Sequence, residues 1–237
     1  MRLPILLSVP HAGTAMPAEL ADLVCLSQDD VVKDGDEQAA EIYLPLRAHV
    51  THLVNTDVAR VRRRQSLPRR LPERRRHQDA YLLGVPVCKK APGQQVIATL
   101  LEKYYCPYHK SLTDLARGRG LRVGVDCHTM AAVGPPVGPD PGRGRPAARV
   151  SDADGQACDP AWTGELARRL QAAMQGKVRV NDPFRGGYTT RHHAKEMPWL
   201  QLELSRGDVS TVEGKRVAVL HALTAWCRNI FGWQRED

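Results

Sequence analysis

Residues 121–130 read Leu-Arg-Val-Gly-Val-Asp-Cys-His-Thr-Met, an apolar run that ends in an aspartate and a histidine. Two other segments have the same design: residues 5–11 read Ile-Leu-Leu-Ser-Val-Pro-His, and residues 199–204 read Trp-Leu-Gln-Leu-Glu-Leu. Short apolar runs of this kind are typical of buried strands, and open α/β sheets bind their ligands at the carboxyl ends of strands. We therefore predict that the three segments bring two imidazoles and a glutamate to one edge of a sheet.

These side chains have the chemistry of a catalytic zinc site. His11, His128 and a carboxylate would hold the ion with one position open, and Glu203 would stay outside the ligand set. A lone histidine is more often structural, but Asp126 lies two residues before His128, and an extended strand directs both to one face. Asp126 can then ligate the ion or orient the imidazole. Glu203 lies between leucines, so it needs a partner, a metal or a raised pKa.

Length and composition fit a single domain over residues 1–237. The chain is 42% hydrophobic and 25% charged, which is ordinary for a globular protein. Apolar runs alternate with helical periodicity, and this alternation indicates an α/β fold. The predicted strands are 5–9, 52–58, 121–126, 178–181 and 199–204. The predicted helices are 36–48, 94–117 (kinked at Pro107), 160–176 and 212–231. Long loops are predicted at about 60–92 and 131–148.

The sequence suggests a cytoplasmic protein with no membrane partner. The apolar stretch at residues 3–9 is short, is broken by Pro4 and leads into His11 without a cleavage-like site, so it is interpreted as a buried strand. No run approaches the roughly 20 apolar residues of a membrane span. The six cysteines include no CxxC pair, and reduced thiols are the simplest interpretation.

The positive charge is concentrated in one segment. Between Arg60 and Arg76 there are nine arginines and one acidic residue, Glu73, which gives +8 and equals the net charge of the whole chain. A nucleic-acid-binding protein that uses this segment is therefore one hypothesis. Aromatic residues are not interleaved with the arginines and no reading motif is present, so we favour a solvated loop or one that faces an anionic substrate.

A polar segment at residues 181–193 is predicted to bind substrate. Its adjacent glycines, Gly186 and Gly187, would let the backbone approach a ligand closely. Asn181, Arg191 and His192 supply hydrogen-bonding groups within the same short span.

Five motifs in this order resemble the N-formylglutamate amidohydrolase (N-formylglutamate deformylase) family, which is related in architecture to zinc carboxypeptidases and aspartoacylase. The matching segments are residues 9–13, 34–36 with 42–43, 126–130, 181–192 and 201–204. The resemblance covers nearly the whole chain. It implies a single-domain three-layer α/β sandwich, with a mixed sheet covered by helices on both faces.

The resemblance also implies a site and a reaction. His11 and His128 resemble ligands of one Zn²⁺ ion, and Glu203 would be the general base. Thr14 occupies the position where the carboxypeptidase relatives have their acidic ligand, so Asp36 is the predicted third ligand. Asp34 and Asp126 are the rivals for that role and otherwise support the ligands. The segment 34–37 also fits ordinary helix capping on composition alone.

The implied substrate is a small N-acyl amino acid, with N-formyl-L-glutamate as the type. Arg60, Arg191 and Asn181 would hold its carboxylates, for which guanidinium groups are suited. The family's D-x-N-R segment appears here as Asp57-Val58-Ala59-Arg60, without the asparagine. The alternative enzyme hypothesis is a zinc carboxypeptidase or amidase acting on peptides, with the two long loops shaping a wider groove.

Overall fold

A six-stranded mixed β-sheet forms the centre of the molecule. The computed structural model describes residues 2–59, 88–136, 138–207 and 210–234. The strands are β1 (Leu3–Val9), β2 (Val50–Asn55), β3 (Val123–Met130), β4 (Ala148–Ser151), β5 (Val178–Val180) and β6 (Trp199–Ser205), in the spatial order β2-β1-β3-β6-β4-β5. β2, β1, β3 and β6 are parallel, whereas β4 is antiparallel to β6 and parallel to β5.

Helices connect these strands. They are α1 (Gln28–Asp34), α2 (Ala39–Tyr43), α3 (Gln94–Leu100), α4 (Cys106–Ala116), α5 (Pro160–Met174), α6 (Tyr188–His193) and α7 (Val212–Phe231). Two 3₁₀ turns, Ala18–Leu20 and Leu44–Ala48, and a π-helical segment, Leu101–Tyr105, complete the helical elements of the described residues. None of the helices in the described residues is long and apolar enough to cross a bilayer.

The two faces of the sheet differ in polarity. Leu7, Val125 and Leu200 lie side by side in register, and their alternation along the strands places them on one face. This face is buried against apolar residues of α2, α5 and α7, which form the main core. Its burial is the largest source of hydrophobic stabilisation in the fold.

The opposite face carries polar side chains. Ser8, Asp126 and Gln201 lie side by side on it, although all three are buried. α4 covers one end of this face through a small apolar cluster of Leu6, Leu112 and Trp199. Helices therefore lie on both faces, and the predicted three-layer sandwich with a mixed sheet is confirmed.

The boundaries of α5 and α7 follow from local capping. Asp159 accepts a hydrogen bond from the backbone N–H of Ala161 at 2.8 Å, and Pro160 follows it at the first helical position. Thr211 similarly accepts from the N–H of Gly214 at 3.0 Å, and α7 ends at Gly232, whose φ of 62° is left-handed.

Several elements differ from the predictions. The helix predicted over 36–48 is α2 followed by a 3₁₀ turn, and its N-cap is Gln38 rather than an aspartate of the 34–37 segment. The helix predicted over 94–117 contains π-helical turns immediately before Pro107, where the proline ring would clash with the carbonyl four residues earlier.

Three elements were not predicted, and the first is the short helix α1 over Gln28–Asp34. The polar segment 181–193 ends in the short helix α6, and β4 begins where a loop was predicted to end. β4 has only four residues, too few to show a clear alternation in the sequence. Most of the loop predicted at about 60–92, including the arginine-rich segment, lies outside the described residues.

Gly124 gives a test of the packing between β3 and β6. A Cβ at this position would lie 2.3 Å from the indole ring of Trp199, which is itself buried. We expect Gly124→Ala to lower the free energy of unfolding by about 1–3 kcal/mol, because the core is overpacked. Urea denaturation measures this effect.

Gly164 in α5 is the matched control, since a Cβ there meets no atom within 4 Å. Gly164→Ala should raise stability by about 0.5–1 kcal/mol through helix propensity. Equal effects of the two substitutions would contradict the proposed packing.

Candidate active site

The candidate site lies at the carboxyl ends of β1, β3 and β6. His128 on β3 is paired in register with Glu203 on β6, so both side chains lie on the polar face of the sheet. His11 follows the end of β1, and its ring centroid is 5.1 Å from that of His128. The structure therefore brings together two histidines and a glutamate from three remote parts of the chain.

His128 is held between two carboxylates. Its Nδ1 lies 2.7 Å from Oδ2 of Asp36, and its Nε2 lies 3.0 Å from Oδ2 of Asp126. Burial alone would lower the pKa of this imidazole, but the two neighbouring carboxylates raise the pKa well above 6.5. Nδ1 thus faces Asp36, and Asp126 fixes the orientation of the ring from the other side.

The loop before α2 positions Asp36. The hydroxyl of Thr129 donates to the carbonyl of Glu37 at 2.8 Å, and the N–H of Asp36 donates to the carbonyl of His11 at 3.3 Å. Asp36 is therefore not a helix cap; its carboxylate is turned toward β3. Asp34, two residues before Asp36, is the last residue of α1 and is also buried.

A hydrogen-bonded chain supports Asp126 from the side of α4. The hydroxyl of Ser8 donates to Oδ1 of Asp126 at 2.7 Å and lies 2.8 Å from the hydroxyl of Tyr108. Both carboxylate oxygens of Asp126 are thus engaged, one by Ser8 and one by His128. This arrangement matches a carboxylate that orients a histidine rather than one that binds an ion directly.

Gln201 fixes the position of Glu203. Its side-chain amide donates to Oε1 of Glu203 at 2.6 Å, and its Oε1 accepts from the backbone N–H of Gly187. A Cβ at Gly187 would lie 3.2 Å from that oxygen. The close backbone approach that the adjacent glycines permit is therefore made to Gln201.

The donor atoms of the candidate site are of the kinds that bind a metal ion. Within the described residues, no three His, Cys, Asp or Glu side chains already form a metal-binding cluster. His11, His128 and Asp36 nevertheless supply imidazole nitrogens and a carboxylate oxygen, which are preferred ligands of Zn²⁺. Two ligand atoms of one tetrahedral zinc lie about 3.4 Å apart. Nδ1 of His128 and Oδ2 of Asp36 are 2.7 Å apart, so they would have to separate by only a small distance to bind the same ion. These residues fit the ion.

The predicted substrate-binding residues of the 181–193 segment are largely engaged with the protein. The amide of Asn181 donates to Oδ1 of Asp152 at 2.7 Å and accepts from its backbone N–H at 3.1 Å. Arg191 donates to the carbonyls of Arg185 and Gly186 at 2.7 and 3.1 Å. These contacts hold the turn that contains Gly186, whose φ is +90°.

His192 and Arg60 complete the predicted set. The ring of His192 stacks on Tyr188 at 4.8 Å, and burial lowers its pKa. Arg60 lies outside the described residues, so its role stays a prediction.

A partly buried histidine relay beside the site was not predicted. Nδ1 of His109 lies 2.9 Å from Nε2 of His193, and Nδ1 of His193 lies 2.8 Å from Glu196, which also accepts from Thr113 at 2.8 Å. Burial, followed by the adjacent His193, lowers the pKa of His109 to about 4, so this ring is neutral at neutral pH. The only sequence signal was the pair of histidines on α4 and α6, far apart in the chain.

The contacts of Asn181 predict a structural role that can be measured. Asn181→Ala removes two hydrogen bonds from the buried Asp152 and places alanine at a φ of 53°. We expect a loss of about 2–3 kcal/mol in the free energy of unfolding by urea denaturation. Asn229→Ala, at an exposed position of α7, should change stability by less than about 0.5 kcal/mol. Unchanged stability with a raised KM would instead support substrate binding by Asn181.

Comparisons with known proteins agree with this architecture. The model of the N-formylglutamate amidohydrolase family matches residues 3–208. An N-formylglutamate deformylase from Pseudomonas aeruginosa is 29% identical over 227 residues, covering 86% of this chain and 81% of that protein.

Two crystal structures share the fold. An N-formylglutamate amidohydrolase from Ralstonia eutropha JMP134 superposes with a TM-score of 0.70 at 20% identity, covering 97% of this chain and 93% of that one. A gene product from Agrobacterium tumefaciens gives 0.66 at 18% identity, with coverages of 96% and 90%. Since the family match spans most of its length, the chain belongs to the N-formylglutamate amidohydrolase family.

Proposed function

We propose that this protein is a metal-dependent amidohydrolase that cleaves the N-acyl amide of a small amino acid, with N-formyl-L-glutamate as the type substrate. Family membership supports the reaction class. The observation that carries the proposal is the pairing of His128 with Glu203 across adjacent parallel strands, beside His11 and Asp36.

His11, His128 and Asp36 would hold the ion, for which we propose Zn²⁺ because of their nitrogen and oxygen donors. When bound, the ion supplies an activated water near neutral pH and polarises the scissile carbonyl. Asp126 orients His128 through Nε2, which leaves Nδ1 on the side of Asp36. Ser8 in turn holds Asp126, so the imidazole has a fixed orientation before substrate arrives.

Glu203 would act as the general base. Its carboxylate lies next to His128 on the same face, and the 2.6 Å hydrogen bond from Gln201 restricts its rotation. In this role it accepts a proton from the attacking water and returns it to the nitrogen of the leaving amino acid. Hydrolysis of an N-formyl amide then gives formate and the free amino acid.

The direct test is metal analysis combined with a substrate screen. We expect about one zinc per chain, loss of turnover after chelation, and recovery on adding Zn²⁺. N-formyl amino acids should be hydrolysed faster than short peptides. Preferential cleavage of peptides would favour the carboxypeptidase or amidase hypothesis, and full activity in metal-free protein would overturn the metal-dependent mechanism.

Glu203→Gln separates proton transfer from metal binding. We expect kcat to fall by about 10²- to 10⁴-fold, because the amide cannot accept the proton, while the bound metal is retained. Glu213→Gln on α7 is the control, since that side chain is 77% exposed and pairs with Arg216 at the surface. Near-normal turnover of Glu203→Gln would refute its assignment as the base.

A further inference from the structure

Arg149 is a buried cation on the active-site face. It lies on β4 and is paired in register with Glu203 of the antiparallel neighbour β6, so the two side chains project from the same face. Residues paired in this way have Cα atoms about 4.5–5.5 Å apart. Arg149 is only 4% exposed, which is unusual for an arginine without full hydrogen bonding.

The hydrogen bonds of Arg149 are incomplete. Its Nη2 donates to Oδ2 of Asp140 at 3.1 Å. Its Nε and Nη1 are buried and have no hydrogen-bond partner among the described residues. Those two nitrogens carry three of the five N–H donors of a guanidinium group. Buried donors are nearly always satisfied, so an arginine left in this state calls for a partner.

Arg149 also shares its one carboxylate partner among the described residues with a second arginine. Asp140 is the carboxylate that pairs with Arg149, but it already accepts two hydrogen bonds from Arg145, at 2.7 and 3.1 Å. Two guanidinium groups therefore share the carboxylate of Asp140. Arg179 on β5 is paired in register with Arg149, and its guanidinium group forms an ion pair with Asp182 rather than with Asp140.

Phe184 covers this cationic cluster. Its ring centroid lies 5.2 Å from the guanidinium carbon of Arg145 and 5.1 Å from that of Arg149. The hydroxyl of Ser151 donates to the carbonyl of Phe184 at 2.6 Å. This hydrogen bond holds the backbone of Phe184 and does not involve its ring. Access of a ligand to this guanidinium would therefore require displacement of an apolar ring and no loss of the Ser151 hydrogen bond.

We propose that Arg149 binds the side-chain carboxylate of an acidic N-acyl amino acid, and that it is the residue that selects acidic over neutral substrates. This inference rests on the proposed function and names a residue that would select its substrate. A substrate carboxylate would accept hydrogen bonds from Nε and Nη1 of the planar guanidinium, which have no partner among the described residues. The position opposite Glu203 keeps such a substrate beside the proposed base.

The role differs from those predicted for Asn181 and Arg191, whose side chains hold Asp152 and the 185–186 backbone. Substrate binding by Arg149 requires no change in the hydrogen bonds of Asn181 and Arg191. It also explains why a positive charge is kept in a buried strand at a cost to stability, because functional sites commonly retain such unfavourable groups.

Arg149→Met tests the proposal, since methionine keeps the apolar contact with Phe184 and leaves the Arg145–Asp140 pair intact. We expect KM for N-formyl-L-glutamate to rise by about 10- to 100-fold, the loss typical of a charged hydrogen bond, with kcat little changed. KM for N-formyl-L-glutamine should stay within about threefold. Arg149→Lys should give an intermediate KM, because it keeps the charge but loses the planar donors. Arg168→Met, at a 61% exposed position of α5, is the control.

A binding measurement separates this inference from the proposed function. By isothermal titration calorimetry, the wild type should bind L-glutamate more tightly than L-glutamine, and Arg149→Met should lose that preference. If the wild type prefers L-glutamate and Arg149→Met does not, but no N-formyl amino acid is hydrolysed, the anion site is supported and the proposed reaction is overturned. Turnover with no glutamate preference in the wild type would overturn the anion site alone.

Thermal unfolding distinguishes ligand binding from a structural role. Without ligand, Arg149→Met should melt no lower than the wild type, because it removes a buried charge whose hydrogen bonds are incomplete and leaves Asp140 paired with Arg145. A marked fall in Tm, together with equal losses of KM for the glutamate and glutamine substrates, would show that Arg149 is structural and overturn the proposal.

Discussion

In the pairing of β3 with β6, Asp126 lies beside Gln201 and His128 lies beside Glu203, while Val125 and Leu200 face the opposite side. Side chains alternate along a strand, so this one register fixes both the apolar core and the polar face. A slip of β3 by one residue would turn His128 toward the core and bring Cys127 or Thr129 into its place in the site. The hydrophobic burial that stabilises the sheet therefore also holds the proposed metal ligands and base in place.

Hydrogen bonds then restrict each polar side chain on that face. Ser8 holds Asp126, Asp126 holds His128, and Gln201 holds Glu203. The supporting groups come from different strands and loops, so the orientation of each functional group depends on the assembled sheet. Such preorganisation reduces the rearrangement that binding and catalysis require.

The same face extends beyond these residues. On one side, Arg149 brings an incompletely satisfied cation next to Glu203; on the other, His109, His193 and Glu196 form a relay between α4 and α6. The first is suited to bind an anion. The second holds the ring of His109, which packs against Tyr105 and Tyr188. The polar side chains therefore continue on both sides of the proposed metal ligands.

The sequence by itself determined the α/β class, most strand and long-helix positions, and the family, because apolar periodicity, capping residues and ordered motifs are local signals. It also singled out His11, His128 and Glu203, which the structure brings together. Only the tertiary structure decided that Asp36 contacts His128, that Asn181 and Arg191 bind their own loop, and that Arg149 faces the site. Those facts depend on strand order and register between distant segments, and a pattern within one segment carries no information about its neighbour in space.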